Sequence, residues 1–528
     1  MVKVRRGIII LGFIFLAALA LRLYALDRFT LWYDEVITVL DYRAINQLHP
    51  LGQIFDRDFI ANHHDYLTLY SHGFVYYWAG LLGKSEFALR LSSVIFALLS
   101  IFILYLIARR FFDTRIAYLA SLFLAVSPWH VYYAQELRPY AAAAFLTLLC
   151  VYSLLGIIRS DKKIHWLLYF VASVLNAYCL YTNLLILCAL FIFGAYQIKK
   201  EKKTLKGILS LHLLILLAIT PLLVILYHNL TAALQGNHIY GLSDLPIWAG
   251  GVGWKNLLFT LKNFSIGYNT DYYSFAGILA TFASFYFFIK GVVFWRKNLL
   301  AQLLLWLAFI PVLFLCLILK IKIGYVDRYF FPLLPLYVLG VAAGIRSSQR
   351  LFFPLTFMLA LSFIGLCNYY ANLLPQEYNQ HIGVAKRQDI RGAFGVIRDN
   401  YKEGDLIVHT CRNTVFPLKF YLGQNGLPPG FQDEINKGKV IFSLHGIDQL
   451  LALEHAYKYP VMFSPEKAYP FIPPEGNYRV WVFFSSFGDI RKGIGEYRVV
   501  DWFSQRLEQQ AFYSFEGANL YLFSNIKG

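Results

Sequence analysis

The chain has 528 residues, of which 58% are hydrophobic and only 15% charged, and its mean hydropathy is +0.51. Ordinary soluble domains carry roughly a quarter charged residues, so one water-soluble core cannot account for this composition. The net charge of +17 would suggest nucleic acid in a soluble protein, but here the basic residues sit in short links between apolar runs. That pattern points to a membrane and to no nucleic-acid partner.

The first run follows Lys3, Arg5 and Arg6 and extends to Leu26. It is too long for a signal-peptide core and no small-residue cleavage site is evident, so it reads as an uncleaved span with a cytoplasmic N-terminus. Apolar periodicity then predicts about eleven spans, each able to cross roughly 30 Å of hydrocarbon. They lie near 7–26, 87–108, 116–134, 139–158, 165–181, 184–198, 207–227, 272–290, 299–319, 329–345 and 351–369. Every second link is basic: Arg109/Arg110/Arg115, Arg159/Lys162/Lys163, Lys199 to Lys206, Arg296/Lys297 and Arg346/Arg350 share a side with the N-terminus. The opposite links are poor in basic residues, apart from the one near Lys320, Lys322 and Arg328.

Three segments fall on the outer side. The first, 27–86, contains a stretch at 66–82 that is apolar on one face, which predicts an interfacial helix. The second, 228–271, carries an amphipathic pattern near 254–264. The third begins at about 370, where hydropathy drops and soluble patterning starts. Helices are predicted over 389–401 and 415–422, and strands over 405–410, 439–444, 479–485 and 518–523. The fold class is thus an α-helical polytopic membrane domain, 1–369, followed by an extracytoplasmic α/β domain, 370–528.

Of six cysteines, Cys150, Cys179, Cys188 and Cys316 lie in apolar runs and behave as small hydrophobes. Cys367 and Cys411 are the one plausible pair, and neither a disulfide framework nor a Cys-based metal site is expected.

Ionisable residues gather at the outer ends of the spans. Asp34 and Glu35 follow the first span beside Trp32 and Tyr33; two solvated loop acids at an aromatic belt is the plain alternative. His63, His64 and Asp65 form a second cluster, either solvated or binding an acceptor or metal. A divalent ion could gather on Asp34, Glu35, His63 and His64, although adjacent histidines diverge on most backbones. Glu136 and Arg138 occupy the hinge Ser127–Tyr140, where charges are expensive unless paired or used. Arg90 lies just inside the second span, where snorkelling explains it equally well. Arg328 opens the tenth span and could pair with Asp327 or hold a lipid phosphate.

Carboxylates and arginines at one membrane depth suit glycosyl transfer from a lipid-linked phosphate sugar. An acceptor hydroxyl needs a base, which Asp34 or Glu35 can supply. A carboxylate also steadies an oxocarbenium-like transition state. The leaving lipid phosphate needs cations, and arginine matches its oxygens bidentately.

Three stretches together resemble the protein O-mannosyltransferase and aminoarabinose-transferase-like branch of the C-type (GT-C) glycosyltransferases, in the manner of glycosyltransferase family 39. They are Asp34-Glu35 after the first span, Gly83 to Ser93 with Glu86 and Arg90, and Ser127 to Tyr140 with Glu136 and Arg138. The segment from Arg328 and Tyr329 to Pro332 and the outer C-terminal domain fit as well. The resemblance implies inverting transfer from a polyprenyl-phosphate sugar on the outer side, with Asp34 the catalytic carboxylate and Glu35 its neighbour. It implies that Arg90 and Arg138 lie near the donor phosphate, with Arg328 a further candidate. Glu136, His63, His64, Asp65, Tyr140 and Tyr329 are candidates for supporting or acceptor-side roles. Relatives often carry a His-Pro-Pro-Leu-Tyr-like stretch where this chain has His64 to Tyr70. No β-trefoil segment is seen, which favours a bacterial or archaeal membrane. The acceptor, a lipid, glycan or protein, is not legible. The alternative reading is a lipid-linked sugar transporter or flippase, which would place ionisable groups at mid-depth.

Overall fold

The computed structural model describes residues 2–45, 69–160, 162–201, 205–234, 253–321, 325–375, 387–402, 405–409, 417, 420–421, 442–443, 478–485, 500–501 and 503–525. The chain divides into two compact units, Met1–Leu26 with Asp41–Pro375, and Asp27–Leu40 with Gln376–Gly528.

The first unit is helical. In chain order its helices are α1 (Val2–Leu23), α2 (Tyr33–Ile45, which begins in the second unit), α3 (Tyr76–Leu82), α4 (Glu86–Phe111), α5 (Thr114–Ala125), α6 (Pro128–Ala134), α7 (Tyr140–Ser160) and α8 (Lys163–Cys179). There follow α9 (Leu184–Lys200), α10 (Lys206–Ala218), α11 (Thr220–Leu234), α12 (Lys255–Ile266), α13 (Phe275–Phe294), α14 (Leu299–Ala308), α15 (Ile310–Ile321), α16 (Leu334–Arg346) and α17 (Phe352–Tyr370). A π-helical turn, Leu69–Val75, precedes α3, and 3-10 turns at Tyr181–Asn183 and Asp327–Leu333 precede α9 and α16.

Seven helices among the described residues are long and apolar enough to cross a membrane, or eight if the bent pair α10–α11 counts as one span. Large apolar side chains such as Leu217, Phe282, Phe294 and Phe363 stand exposed on their outer faces, as a lipid-facing surface requires. The protein is therefore a multi-pass membrane protein.

The predicted spans 116–134 and 207–227 are each broken into two helices. The stretch 116–134 breaks between α5 and α6, where Ser127 accepts from the His130 N–H and Pro128 takes the first helical position. Proline has no N–H to continue the preceding ladder, so a helix can start there but not run through. The stretch 207–227 bends by 59° between α10 and Tyr227 of α11, with Pro221 at the second position of the new helix. Elsewhere starts are set by side-chain caps: Ser85 accepts from the Ala88 N–H at 3.2 Å and Asp113 from the Ile116 N–H at 2.7 Å. The 66–82 stretch is helical over 69–82, and its apolar helix Gly73–Leu82 is too short to span hydrocarbon.

Helices α13 and α16 approach most closely through glycine. A Cβ at Gly344 would overlap the Phe287 carbonyl, and one at Gly291 would overlap the Gly340 carbonyl. Gly340 and Gly344 form the small-xxx-small spacing that lets helix backbones touch in lipid.

The second unit holds α18 (Ile390–Asn400) and a five-stranded sheet of β1 (Leu406–His409), β2 (Phe442–Ser443), β3 (Arg479–Ser485), β4 (Glu508–Phe515) and β5 (Ala518–Ser524). The strand order is β2-β1-β3-β5-β4. β1 pairs in parallel with β2 and β3, while β5 pairs antiparallel with β3 and β4. Val408, Val480, Val482, Phe484, Phe503, Leu507 and Phe523 form one core. Trp481 and Phe483, the alternate residues of β3, are buried too, and Phe483 packs on Phe394 of α18. β3 is therefore a central strand covered on both faces. The β4–β5 hairpin turns at Glu516-Gly517, where Gly517 has φ +70°, a conformation that favours glycine. β4 escapes sequence reading because it is an edge strand with mostly exposed or half-buried residues.

Candidate functional site

In the first unit Arg90, Glu136, Arg138 and Arg328 lie in or just ahead of helix starts. Arg90 lies in the first turns of α4 and is 1% exposed; its Nη1 donates to the Leu26 carbonyl at 2.9 Å. Part of this guanidinium is thus committed to holding the chain just after α1. Ser93, one turn on, donates to the Glu136 carbonyl at 2.7 Å and ties the hinge to α4.

The hinge residues themselves are enclosed. Gln135 and Glu136 are buried and Arg138 is half-buried. The Gln135 amide donates to the carbonyls of Leu21, Arg22 and Tyr24 at 3.3, 2.9 and 2.8 Å, closing the end of α1. Its oxygen accepts from the Tyr369 hydroxyl at 2.5 Å. The Arg138 N–H donates to the Glu136 carbonyl at 2.9 Å, a tight turn that sets both side chains just before α7. Tyr140, the first residue of α7, is buried against Tyr133 with ring centroids 4.7 Å apart.

The 3-10 turn Asp327–Leu333 supplies the third group. Asp327 is 2% exposed, and its carboxylate accepts from Asn263 Nδ2 and, at 3.1 Å, from the Tyr268 hydroxyl. The Tyr268 and Tyr133 hydroxyls are 2.8 Å apart. The Tyr268 phenol, in the 253–271 segment outside the spans, is held well above its usual pKa by burial and by the Asp327 carboxylate. It stays protonated and can donate. The charges of Glu136 and Arg328 both reach the Tyr133 hydroxyl. Asp327, Tyr268 and Tyr133 thus form a chain between the 3-10 turn and the hinge. Tyr329 is half-buried and faces Tyr181, with ring centroids 6.2 Å apart. Lys262 is buried, its Nζ donating to the carbonyls of Gly267 and Thr270 at 2.7 and 2.8 Å, which fixes the segment carrying Tyr268.

An apolar cavity of about 250 Å³ opens among α12, α13, α14, α15 and α16, lined by Phe264, Phe285, Phe288, Leu304, Leu307 and Tyr337 among others.

In the second unit, Asp34 and Glu35 occupy the first turn of α2 and have different surroundings. Glu35 is fully buried and its Oε2 accepts from the Trp32 N–H at 3.2 Å, the return half of a capping box. Asp34 is half-buried, and its carbonyl accepts from the Thr38 hydroxyl at 2.9 Å. The acids are adjacent in sequence but not equivalent: Glu35 holds the helix start.

His63, His64 and Asp65 lie outside the described residues. Among the described residues, no three His, Cys, Asp or Glu side chains come together as a metal-binding group. Cys150, Cys179, Cys188, Cys316 and Cys367 are free thiols, and Cys411 lies outside the described residues.

Sequence reasoning considered Asp327 only as a partner for Arg328, and it singled out none of Asn263, Tyr268, Tyr133 and Gln135. An Asp beside Arg at a span end was the available signal; the partners come from segments about 60 residues and more away.

Comparison with known proteins shows what the chain is similar to. Residues 73–228 match the family model of dolichyl-phosphate-mannose-protein mannosyltransferase. The fold is similar to that of ArnT from Cupriavidus metallidurans bound to undecaprenyl phosphate, with TM-score 0.55, 11% identity and 98% of each chain covered. Apo ArnT from the same organism gives TM-score 0.55 and 12% identity, covering 100% of this chain and 99% of that one. The Archaeoglobus fulgidus oligosaccharyltransferase tethered with an acceptor peptide gives TM-score 0.46 and 12% identity, covering 91% of this chain and 69% of that one. No curated protein matches the sequence. The chain shares the fold of ArnT, a polytopic helical domain with a small C-terminal sheet domain.

Proposed function

We propose that the protein is a membrane glycosyltransferase that moves a sugar from a polyprenyl-phosphate donor to an acceptor hydroxyl on the outer face of its membrane. The observation that carries this reading is the set of arginines at helix starts in the first unit. Arg138 stands two residues ahead of α7, and Arg328 lies in the 3-10 turn that leads into α16. Guanidinium groups and helix N-termini both favour a phosphate oxyanion. The fold and the family match over 73–228 support the same class, and ArnT, a protein of similar fold, has been seen bound to undecaprenyl phosphate.

In this reading Asp34 is the base. It takes the proton of the acceptor hydroxyl as that oxygen bonds to the anomeric carbon. The bond from that carbon to the phosphate oxygen breaks, and the lipid phosphate leaves with the electron pair. Arg138 and Arg328 stabilise the charge that develops on it. Arg90 supports the same group while one of its nitrogens stays on Leu26. Glu35 fixes the start of α2 and so the direction of Asp34. Glu136, Tyr140 and Tyr329, together with His63, His64 and Asp65, serve the supporting or acceptor side. The apolar cavity fits isoprenoid carbon. The N-terminus is cytoplasmic, residues 370–528 are extracytoplasmic, and the host membrane is bacterial or archaeal.

The test is transfer by purified protein in vesicles supplied with polyprenyl-phosphate sugar, followed through release of polyprenyl phosphate. Asp34→Ala and Arg138→Ala should each abolish it. Full transfer in both variants would overturn the assignment, and lipid-sugar movement across the bilayer without release would favour a transporter.

A further inference from the structure

The backbone that leads into α2 is held from far along the chain. The Thr30 N–H donates to the Gln388 carbonyl at 3.2 Å, and the Thr30 hydroxyl donates to the same carbonyl at 2.7 Å. That hydroxyl also accepts from the Ile390 N–H at 3.2 Å, at the start of α18. The next N–H, that of Leu31, donates to the Tyr421 hydroxyl at 2.6 Å. The third, that of Trp32, donates to Glu35 within the helix start itself. Thr30, Leu31 and Tyr421 are all buried, so these bonds are made away from water.

The segment that holds Thr30 is itself fixed. Asp389 caps α18 by accepting from the Gly392 N–H at 3.0 Å, and its own N–H donates to the Glu516 carbonyl at 2.9 Å in the β4–β5 turn. Arg28 also reaches the Glu516 carboxylate at 3.4 Å, but both side chains are well exposed and such a pair adds little. The attachment therefore rests on the two enclosed hydroxyls. Without the Tyr421 hydroxyl the buried Leu31 N–H loses its acceptor, and the chain can relieve it only by moving toward water. Such a movement tilts the first turn of α2, where Asp34 lies three residues beyond Leu31.

We propose that Thr30 and Tyr421 are positioning residues: through the backbone of 30–32 they aim the Asp34 carboxylate, so that the C-terminal sheet domain serves proton transfer without touching the substrate. This rests on the functional reading above, in which Asp34 is the base. A displacement of about 1 Å at a reacting group can cost on the order of 10²-fold in rate. Donor binding draws on Arg138 and Arg328, which other segments carry, and is not disturbed.

The experiment uses full-length protein in vesicles with polyprenyl-phosphate sugar, with rates taken over a range of donor concentrations. Tyr421→Phe and Thr30→Val each remove one hydroxyl at nearly constant volume. Each should lower kcat roughly ten-fold and leave KM for the donor within about two-fold. Thr30→Ser restores the hydroxyl and should recover the wild-type kcat. A double-mutant cycle separates positioning from mere support of the fold. Asp34→Asn has no base to aim, so adding Tyr421→Phe to it should cost less than about two-fold, whereas a hydroxyl that only supports the fold would cost the same factor in both backgrounds. A kcat within about two-fold of wild type in both single variants would overturn the proposal, as would an undiminished loss in the Asp34→Asn background or a Thr30→Ser as impaired as Thr30→Val. Asp34→Asn with a wild-type kcat would instead overturn the reading of Asp34 as the base, and this proposal with it.

Discussion

Arg22 and His130 form a buried contact across the first unit, with Arg22 Nη2 2.6 Å from His130 Nδ1. The same guanidinium donates to the carbonyls of Ala18 and Ala125 at 2.9 Å each and of Leu124 at 3.2 Å. Leu124 and Ala125 end α5, so an arginine of α1 supplies donors that the broken helix cannot supply for itself. Because Nδ1 accepts, the His130 proton sits on Nε2.

Replacing Arg22 with Leu should strand those carbonyls and the imidazole in apolar surroundings and lower stability by about 3 kcal/mol. Arg22→Lys should recover only part of the loss, since an ammonium lacks the planar fork. Thermal unfolding in detergent reads both, and an unchanged melting temperature for Arg22→Leu would refute the capping role.

The α13–α16 contact makes a steric prediction. A side chain at Gly344 would meet the Phe287 carbonyl, a backbone atom that cannot swing away. Gly344→Val should cost about 1–3 kcal/mol or more through forced backbone shifts. Gly80→Ala is the control: its helical site has nothing within 4 Å of an added Cβ, so it should be neutral or slightly stabilising. Equal melting temperatures for the two variants would count against close packing of these helices.

In the second unit, Asp405 carries three contacts ahead of β1. It accepts from Arg479 Nε and Nη2 at 2.8 and 2.5 Å, from Trp481 Nε1 at 2.8 Å, and from the Lys402 N–H at 3.0 Å. The Asp405 side chain is 3% exposed and that of Arg479 13%, so removing the acid leaves a largely enclosed cation. Asp405→Ala should destabilise the sheet by about 3–5 kcal/mol, seen as faster proteolysis within 376–528. Asp405→Asn keeps an acceptor oxygen and should fall between.

What could be read in advance follows from the range of the physics involved. Apolar runs announce spans because bilayer thickness imposes one length on all of them, so the helices around 87–108 and 139–158 were visible. Pro128 and Pro221 marked the breaks, but a hydropathy window averages across them. β3 announced itself by Val480, Val482 and Phe484, whereas β4 did not, since an edge strand needs no apolar alternation. Among the candidate residues, Arg90, Glu136, Arg138 and Arg328 stand out in the sequence because charge within an apolar run demands a reason. The chain from Asp327 through Tyr268 to Tyr133 does not, because tyrosine near a membrane has an ordinary explanation in the interface belt. Its hydrogen bonds join segments that only folding brings together. The unequal surroundings of Asp34 and Glu35 were half legible: a Glu three residues after Trp32 at a helix start fits a capping box.

That inequality yields a kinetic prediction. If Asp34 is the base, Asp34→Asn should lower kcat by roughly 10²–10⁴-fold and leave KM for the lipid donor little changed, since the amide cannot take a proton but occupies the same space. Glu35→Gln retains an oxygen to accept from the Trp32 N–H, so its loss of kcat should be far smaller, within about ten-fold. Arg138→Ala should act on the donor side, raising KM as well as lowering kcat, because it loses phosphate contact in both ground and transition states. Steady-state rates over a range of donor concentrations separate the three. A Glu35→Gln defect as deep as that of Asp34→Asn would overturn the division of labour, assigning the proton transfer to the pair or to Glu35 itself.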